Sequence, residues 1–217
     1  IGPEKPREFL SSLGFATHTS IEMIEAKGGK PLWPKRWNEL ETMTISYGHG
    51  ISITPLHLAT GYAMLANGGR LVKPTIIEGV KSDLGARVIS KEVAHNSLAM
   101  LRGVVLGGTA SIADVSGYFV GGKTGTADKP SAQGGYDKEK NITSFASIFP
   151  IDEPKYVLVV ALDEAQDTSG PEPKRTAGWT AVPVSAEIIA RVAPLLGLRP
   201  KFNNNSKLSV TLSNWNE

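Results

Sequence analysis

Apolar positions recur along the chain at two spacings, and most of the sequence divides accordingly into short helices and strands. From Gly2 to Leu13, Phe9, Leu10 and Leu13 fall at helical spacing. The prolines stay in the first turn and Gly14 follows, so this stretch is predicted to be a helix. Residues 15–50 hold no sustained period and carry Gly28, Gly29, Pro31 and Pro34. They are expected to be mostly loop, pinned to a core by Trp33 and Trp37. Thr54 suits an N-cap, Pro55 the first helical position and Gly68-Gly69 a stop, so Pro55–Asn67 is predicted helical. Leu56, Leu58, Tyr62, Met64 and Leu65 among several alanines leave it almost no polar face, which predicts burial.

Leu71–Val80 and Arg87–Ile89 read as two short extended pieces. Ser90 then caps a helix with Ala94, Leu98, Leu101 and Val105 as its stripe and Gly107-Gly108 as its end. Tyr118–Thr126 reads as a strand weakened by glycines. Thr143–Phe149 and Tyr156–Leu162 are the clearest strands, and the link Pro150–Pro154 is too short for a crossover, so the two are antiparallel neighbours. The unbroken apolar run Val157–Leu162 predicts a strand covered on both faces, with helices on each side. Val184–Leu195 supplies one helix, with Ile188, Val192 and Leu195 as its stripe and Glu187–Arg191 as an i,i+4 pair. From Lys201 the chain is polar and Asn-rich, apart from an alternating Leu208, Val210 and Leu212.

Composition works mainly by exclusion. A chain of 217 residues can bury a sizeable core as one domain, or as one domain with an appendage. Hydrophobic residues at 41% and charged ones at 20% exclude collagen-like, coiled-coil and low-complexity classes. The net charge of +2 is too small to mark a nucleic-acid or anionic-membrane surface, and no nucleic-acid partner is expected. The absence of cysteine removes disulfides, thiolate nucleophiles and Cys-ligated zinc. The longest apolar run, Tyr156–Leu162, falls far short of the roughly 20 residues that span a bilayer. Ile rather than Met at the start predicts a processed or excised piece, from which any anchor or export signal would be missing.

The candidate chemistry lies at Lys123-Thr124-Gly125-Thr126. By pattern, Gly117 to Thr124 satisfies the phosphate-loop rule G-x-x-x-x-G-K-[ST], and Tyr156–Glu164 resembles an apolar strand ending in magnesium-binding acids, which together would make a nucleotide hydrolase. Two features oppose that reading. Tyr118, Phe119 and Val120 favour extended backbone rather than a loop curled round an anion. No helix can start at Lys123 either, because Gly125, Pro130 and Gly134-Gly135 follow. The second reading is a strand on which Thr124 and Thr126, two residues apart, present two hydroxyls on one face to a carboxylate. Gly125 between them lets a ligand backbone approach and pair as an added strand, and Lys123 adds a positive charge. The bland alternative is a surface strand with two solvated threonines.

K-T-G belongs with S-x-x-K and S-D-N in penicillin-binding proteins and class A β-lactamases. The surrounding sequence resembles the class B penicillin-binding transpeptidases of division and elongation. Gly2–Lys5 through Leu13-Gly14-Phe15 looks like their helix and LGF turn. Ser46–Leu56 is similar to their SxGQGxxxTPLQ segment, Ala66–Gly69 to ANGG, and Gly121–Ala127 to GKTGTA. His49 and His57 stand where that family usually has Gln, and are read as polar replacements rather than catalytic groups. No Ser-x-x-Lys or Ser-x-Asn occurs, and the resemblance places those motifs upstream.

The resemblance implies an α+β (mixed α/β) fold of the serine β-lactamase/D,D-peptidase type. Its antiparallel sheet of five strands is flanked by helices and is incomplete here. Residues 1–200 would be the C-terminal portion of a transpeptidase domain and 201–217 a polar tail. It further implies a serine that attacks the D-Ala-D-Ala end of a peptidoglycan stem peptide, or a β-lactam, and passes the acyl group to an amine. Lys123 would tune proton movement, Thr124 and Thr126 would hold the terminal carboxylate, with Gly125 beside them, and the Thr126 amide would be an oxyanion donor. No metal or cofactor is implied. Cell-division or elongation proteins would be partners, and the place of action the periplasmic face of the bacterial inner membrane. Lacking the nucleophile, the chain is expected to be inactive alone. The rival is a non-catalytic peptidoglycan-binding or divisome-interaction module. Two other parts of the sequence carry lesser expectations: Asp128–Asn141 as a flexible hairpin loop, and Asp152-Glu153 as a dispensable turn.

Overall fold

The computed structural model describes residues 2–80 and 84–202, so the Leu208–Leu212 alternation lies outside the described residues. The chain divides into two compact units, Ile1–Ser90 and Lys91–Glu217.

In the first unit, α1 (Glu4–Ser12) ends where Gly14, at φ +82°, lets its N–H reach Ser11 O. Residues 15–50 are mostly loop, as expected, but two short helical elements interrupt them. A 3₁₀ turn occupies Ile24–Gly28 and a helix, α2, occupies Glu39–Ser46. Its start is held by a reciprocal cap: Asn38 Oδ1 accepts from the Leu40 and Glu41 amides, and Glu41 Oε2 accepts from Asn38 N–H at 3.2 Å. The tryptophans tie this stretch to itself. Trp33 Nε1 donates to Phe15 O at 2.6 Å, and the Trp33 and Trp37 rings lie 5.1 Å apart.

Helix α3 (Pro55–Ala66) starts at the expected cap but is not buried all round. Only His57 and Met64 are buried, because this unit offers few elements to cover so apolar a helix. Phe15 packs on Gly61 so closely that a Cβ there would sit 2.9 Å from its ring. His57 supplies what a Gln supplies in a capping box. Its Nδ1 accepts Thr54 N–H at 3.3 Å, and its Nε2 donates to Thr17 O at 2.8 Å. Strands β1 (Arg70–Val72) and β2 (Leu84–Arg87) form an antiparallel pair; β1 is shorter than the expected Leu71–Val80 piece, and β2 ends at Arg87, where the second piece was expected to begin.

In the second unit, α4 (Lys91–Gly107) buries Ala94, Leu98, Ala99, Arg102 and Val105, with Leu101 only half-buried. Strands β3 (Gly121–Pro130), β4 (Tyr136–Phe149) and β5 (Tyr156–Asp163) form an antiparallel sheet in that order. The strand expected from Tyr118 begins at Gly121. The loop expected over Asp128–Asn141 is instead mostly a hairpin of β3 and β4 whose turn spans only 131–135. Helix α5 (Ala181–Leu195) lies against β4 and β5.

Alternation along β4 sets the two faces. Thr143, Phe145, Ser147 and Phe149 turn inward to a core that also holds Val105, Val120, Val182 and Ile189. On the opposite face, Gly121 lets α4 approach. A Cβ there would lie 3.1 Å from Arg102 N and 2.7 Å from Ile151 Cδ1. The expectation that β5 is covered on both faces fails. Val160 is its one buried residue and Ala161 is exposed, because β5 pairs only with β4 among the described residues and α4 lies against β3. The Asp152-Glu153 turn is more than ornament: both carboxylates hold Lys201 Nζ, at 2.9 and 3.2 Å.

Candidate active site

The site is assembled within the second unit on β3, an outer strand of the sheet. One edge of β3 pairs with β4, Thr124 opposite Phe145 and Gly125 opposite Ser144, and the other has no strand partner among the described residues. A peptide can therefore add along it through backbone hydrogen bonds. Lys123 and Thr126 are exposed, Thr124 and Gly125 half-buried. All four predicted positions thus fall together on extended backbone. Nothing here curls as a phosphate loop, and β3 runs on to Pro130 where a nucleotide site would need a helix.

Each side chain is positioned by a different element. Lys123 Nζ folds back along the strand to donate to Thr124 O at 2.8 Å and lies 3.4 Å from Thr124 Oγ1. Thr124 Oγ1 meets Thr109 Oγ1 at 2.8 Å. Thr126 Oγ1 accepts the Ala177 N–H at 3.1 Å, from the segment entering α5. Beneath this row, Thr180 Oγ1 donates to Thr143 Oγ1 at 2.9 Å in the buried layer, and Thr143 is the cross-strand partner of Thr126. This layer is thus hydrogen-bonded and fixed, while Lys123 and Thr126 are exposed on the strand.

Thr109, Ala177 and Gly178 were not anticipated. Thr109 is delivered by the turn after α4. A Cβ on Gly108 would fall 2.8 Å from Val104 O, so only glycine closes that turn without displacing helix backbone. A Cβ on Gly178 would lie 2.9 Å from Thr109 O, so the two loops touch through this glycine. The sequence signal was the Gly107-Gly108 pair, which marks a helix end but also the residue delivered just beyond it. Among the described residues no group of three or more His, Cys, Asp or Glu gathers as metal ligands. His49 and His57 belong to the first unit, where His57 is consumed by its cap and His49 stacks edge-on with Tyr47 at 5.5 Å.

An antiparallel sheet with helices against it, an outer strand bearing Lys-Thr-Gly-Thr, and hydroxyls fixed beneath a solvent-facing ammonium define one class of protein. The chain belongs to the family of the penicillin binding protein transpeptidase domain, which matches residues 1–190. It is 34% identical over 212 residues to the probable peptidoglycan D,D-transpeptidase FtsI of Caulobacter vibrioides (strain NA1000 / CB15N), covering 93% of this chain and 36% of that protein. The apo transpeptidase domain of Burkholderia pseudomallei penicillin-binding protein 3 superposes with a TM-score of 0.82 at 32% identity, over 94% of this chain and 60% of that one. Penicillin-binding protein 3 of Mycobacterium tuberculosis, complexed with ampicillin, gives 0.80 at 26% identity over 98% and 50%. The chain thus spans about a third of the length of the curated relatives it matches.

Proposed function

We propose that these residues form the sheet and carboxylate-binding strand of a peptidoglycan D,D-transpeptidase, and that the complete enzyme acts by serine acyl transfer. The observation that carries the reading is the placement of Lys123, Thr124 and Thr126 on the open strand β3, with hydroxyls held by Thr109 and Ala177. In that reaction a serine oxygen bonds to the carbonyl carbon of the penultimate D-alanine of a stem peptide. The peptide C–N bond breaks and D-alanine leaves with the proton. An amine of a neighbouring stem then displaces the serine. Lys123 serves proton movement near the serine, and Thr124 and Thr126 hold the terminal carboxylate. The Thr126 N–H is one oxyanion donor, and the strand leaves room at Gly125 for the donor backbone. A β-lactam enters as a mimic of the donor.

The 217 residues contain no Ser-x-x-Lys. Losing an oxyanion donor costs about 2.7–4 kcal/mol in such sites, whereas losing the nucleophile costs about a million-fold in rate, so the second deficit decides. Residues 1–200 act as part of the catalytic domain and 201–217 as a tail. The enzyme works on the periplasmic face of the inner membrane, membrane-anchored by a segment outside these residues, alongside division or elongation proteins. The test is labelling by a fluorescent penicillin read after denaturing electrophoresis. The chain alone stays unlabelled, the domain completed with a Ser-x-x-Lys segment is labelled, and Thr126→Val weakens that labelling. Covalent labelling of the chain alone, or none of the completed domain, would refute the reading.

A further inference from the structure

We infer that Thr109 is a positioning residue that turns the Thr124 hydroxyl toward a ligand carboxylate. The inference rests on the functional reading above and adds a residue to it. A threonine hydroxyl has one proton to give and two lone pairs to fill. Thr124 Oγ1 has two neighbours within hydrogen-bond range, Thr109 Oγ1 at 2.8 Å and Lys123 Nζ at 3.4 Å. Lysine can only donate. Between the two threonines either can be the donor, so in the free protein the Thr124 proton has a choice of direction.

A carboxylate removes that choice. It only accepts, so binding it engages the Thr124 proton, and Thr109 must then be the donor to Thr124 Oγ1. With Lys123 on the second lone pair, the hydroxyl is fully satisfied and its proton points at the ligand. Each bond received by Thr124 Oγ1 polarises the O–H it gives.

Thr109 suits this part because its backbone is fixed from two sides. Gly108 closes the turn from α4, and Gly178 abuts Thr109 O. The segment carrying Gly178 also gives the Ala177 N–H to Thr126 Oγ1, so the two threonines of the strand are steadied by one connected pair of loops. Thr109 itself is exposed, so removing its hydroxyl opens no core cavity.

The experiment measures second-order acylation of the complete transpeptidase domain, these residues joined to the Ser-x-x-Lys segment, by benzylpenicillin and by its methyl ester. Thr109→Val is expected to slow the free acid about fivefold, the size of one net hydrogen bond, and to leave the ester rate unchanged. Thr109→Ser is expected to restore the parent ratio of acid to ester rates. Equal slowing of acid and ester, no slowing of either, or a serine variant as impaired as valine would each overturn the proposal. Thr124→Val and Thr126→Val test the reading underneath. Should these leave the ratio of acid to ester rates unchanged, the carboxylate site itself is misplaced; should they lower it while Thr109→Val does not, only the role of Thr109 fails.

Discussion

Two glycines three residues apart on β3 do different work, and substitution should separate them. A Cβ on Gly122 would stand 2.5 Å from the Ala146 carbonyl oxygen and 2.6 Å from the buried Phe145 ring. Neither can move without shifting the sheet, so Gly122→Ala is expected to cost roughly 1–3 kcal/mol, read by chemical denaturation of the chain. A Cβ on Gly125 would meet Ser144 Oγ at 2.6 Å, the end of a small side chain that can rotate away. Gly125→Ala is therefore expected to change stability by less than about 1 kcal/mol while slowing acylation of the completed domain by crowding the ligand's backbone. A large loss of stability with Gly125→Ala, or none with Gly122→Ala, would contradict the packing described. This division of labour bears on what could be read beforehand. Lys123 to Thr126 are adjacent in sequence, so their shared strand, and the shared face of Thr124 and Thr126, followed from a period of two. Thr109 and Ala177 reach the same site from 15 and 51 residues away, and no local pattern encodes that approach.

At the level of elements, α4 is fastened to the sheet by a charge rather than by apolar packing alone. Arg102 is buried, its NH1 donates to Asp114 Oδ1 and to Val120 O, each at 2.9 Å, and its Nε is buried with no partner among the described residues. Removing Asp114 strands that charge. Asp114 is 47% exposed, so solvent repays part of the loss, and Asp114→Ala is expected to cost about 2 kcal/mol rather than the roughly 3–5 of a fully buried pair. Thermal melting against the parent chain reads the difference, and a neutral result would show the pair to be ornamental. Helix α3 yields a pH dependence instead. Tyr62 is half-buried, and its loss of solvent pushes the hydroxyl up to about 12 from its usual 10. The folded chain thus holds this proton more tightly than the unfolded one, so the stabilisation is complete below pH 10 and is lost as pH rises toward 12. Tyr62→Phe is expected to flatten the alkaline limb of stability between those values, and an unchanged limb would count against the burial. The helices that sequence revealed were those with Pro, Ser, Thr and Gly punctuation. Helix α2 escaped because its signal, Asn38 with Glu41, is a side-chain exchange inside a segment otherwise rich in turn formers, and β5 was misjudged because a continuous apolar run does not tell whether both faces are covered.

Across the whole molecule the apolar burial is unevenly shared between the two units. Among the described residues, Phe15, Ile45 and Met64 are the buried hydrophobic side chains of the first unit, whereas the second holds a continuous cluster from Val105 to Leu198. The first unit also exposes large apolar groups, Ile24 at 86% and Leu32 at 69% among them. Opening free energy follows the apolar surface that an opening must uncover, so amides of α1 and α2 are expected to exchange with solvent hydrogen long before those of β4. Exposed apolar surface also gives a reason to associate, and association would protect the first unit by mass action. Hydrogen exchange followed by mass spectrometry over a hundredfold range of protein concentration separates the two effects. Protection of β4 should stay constant while that of residues 24–47 rises with concentration, and Ile24→Lys with Leu32→Lys should abolish the rise. Protection of α2 equal to that of β4 at every concentration would mean that the first unit holds itself together by something other than the burial seen here.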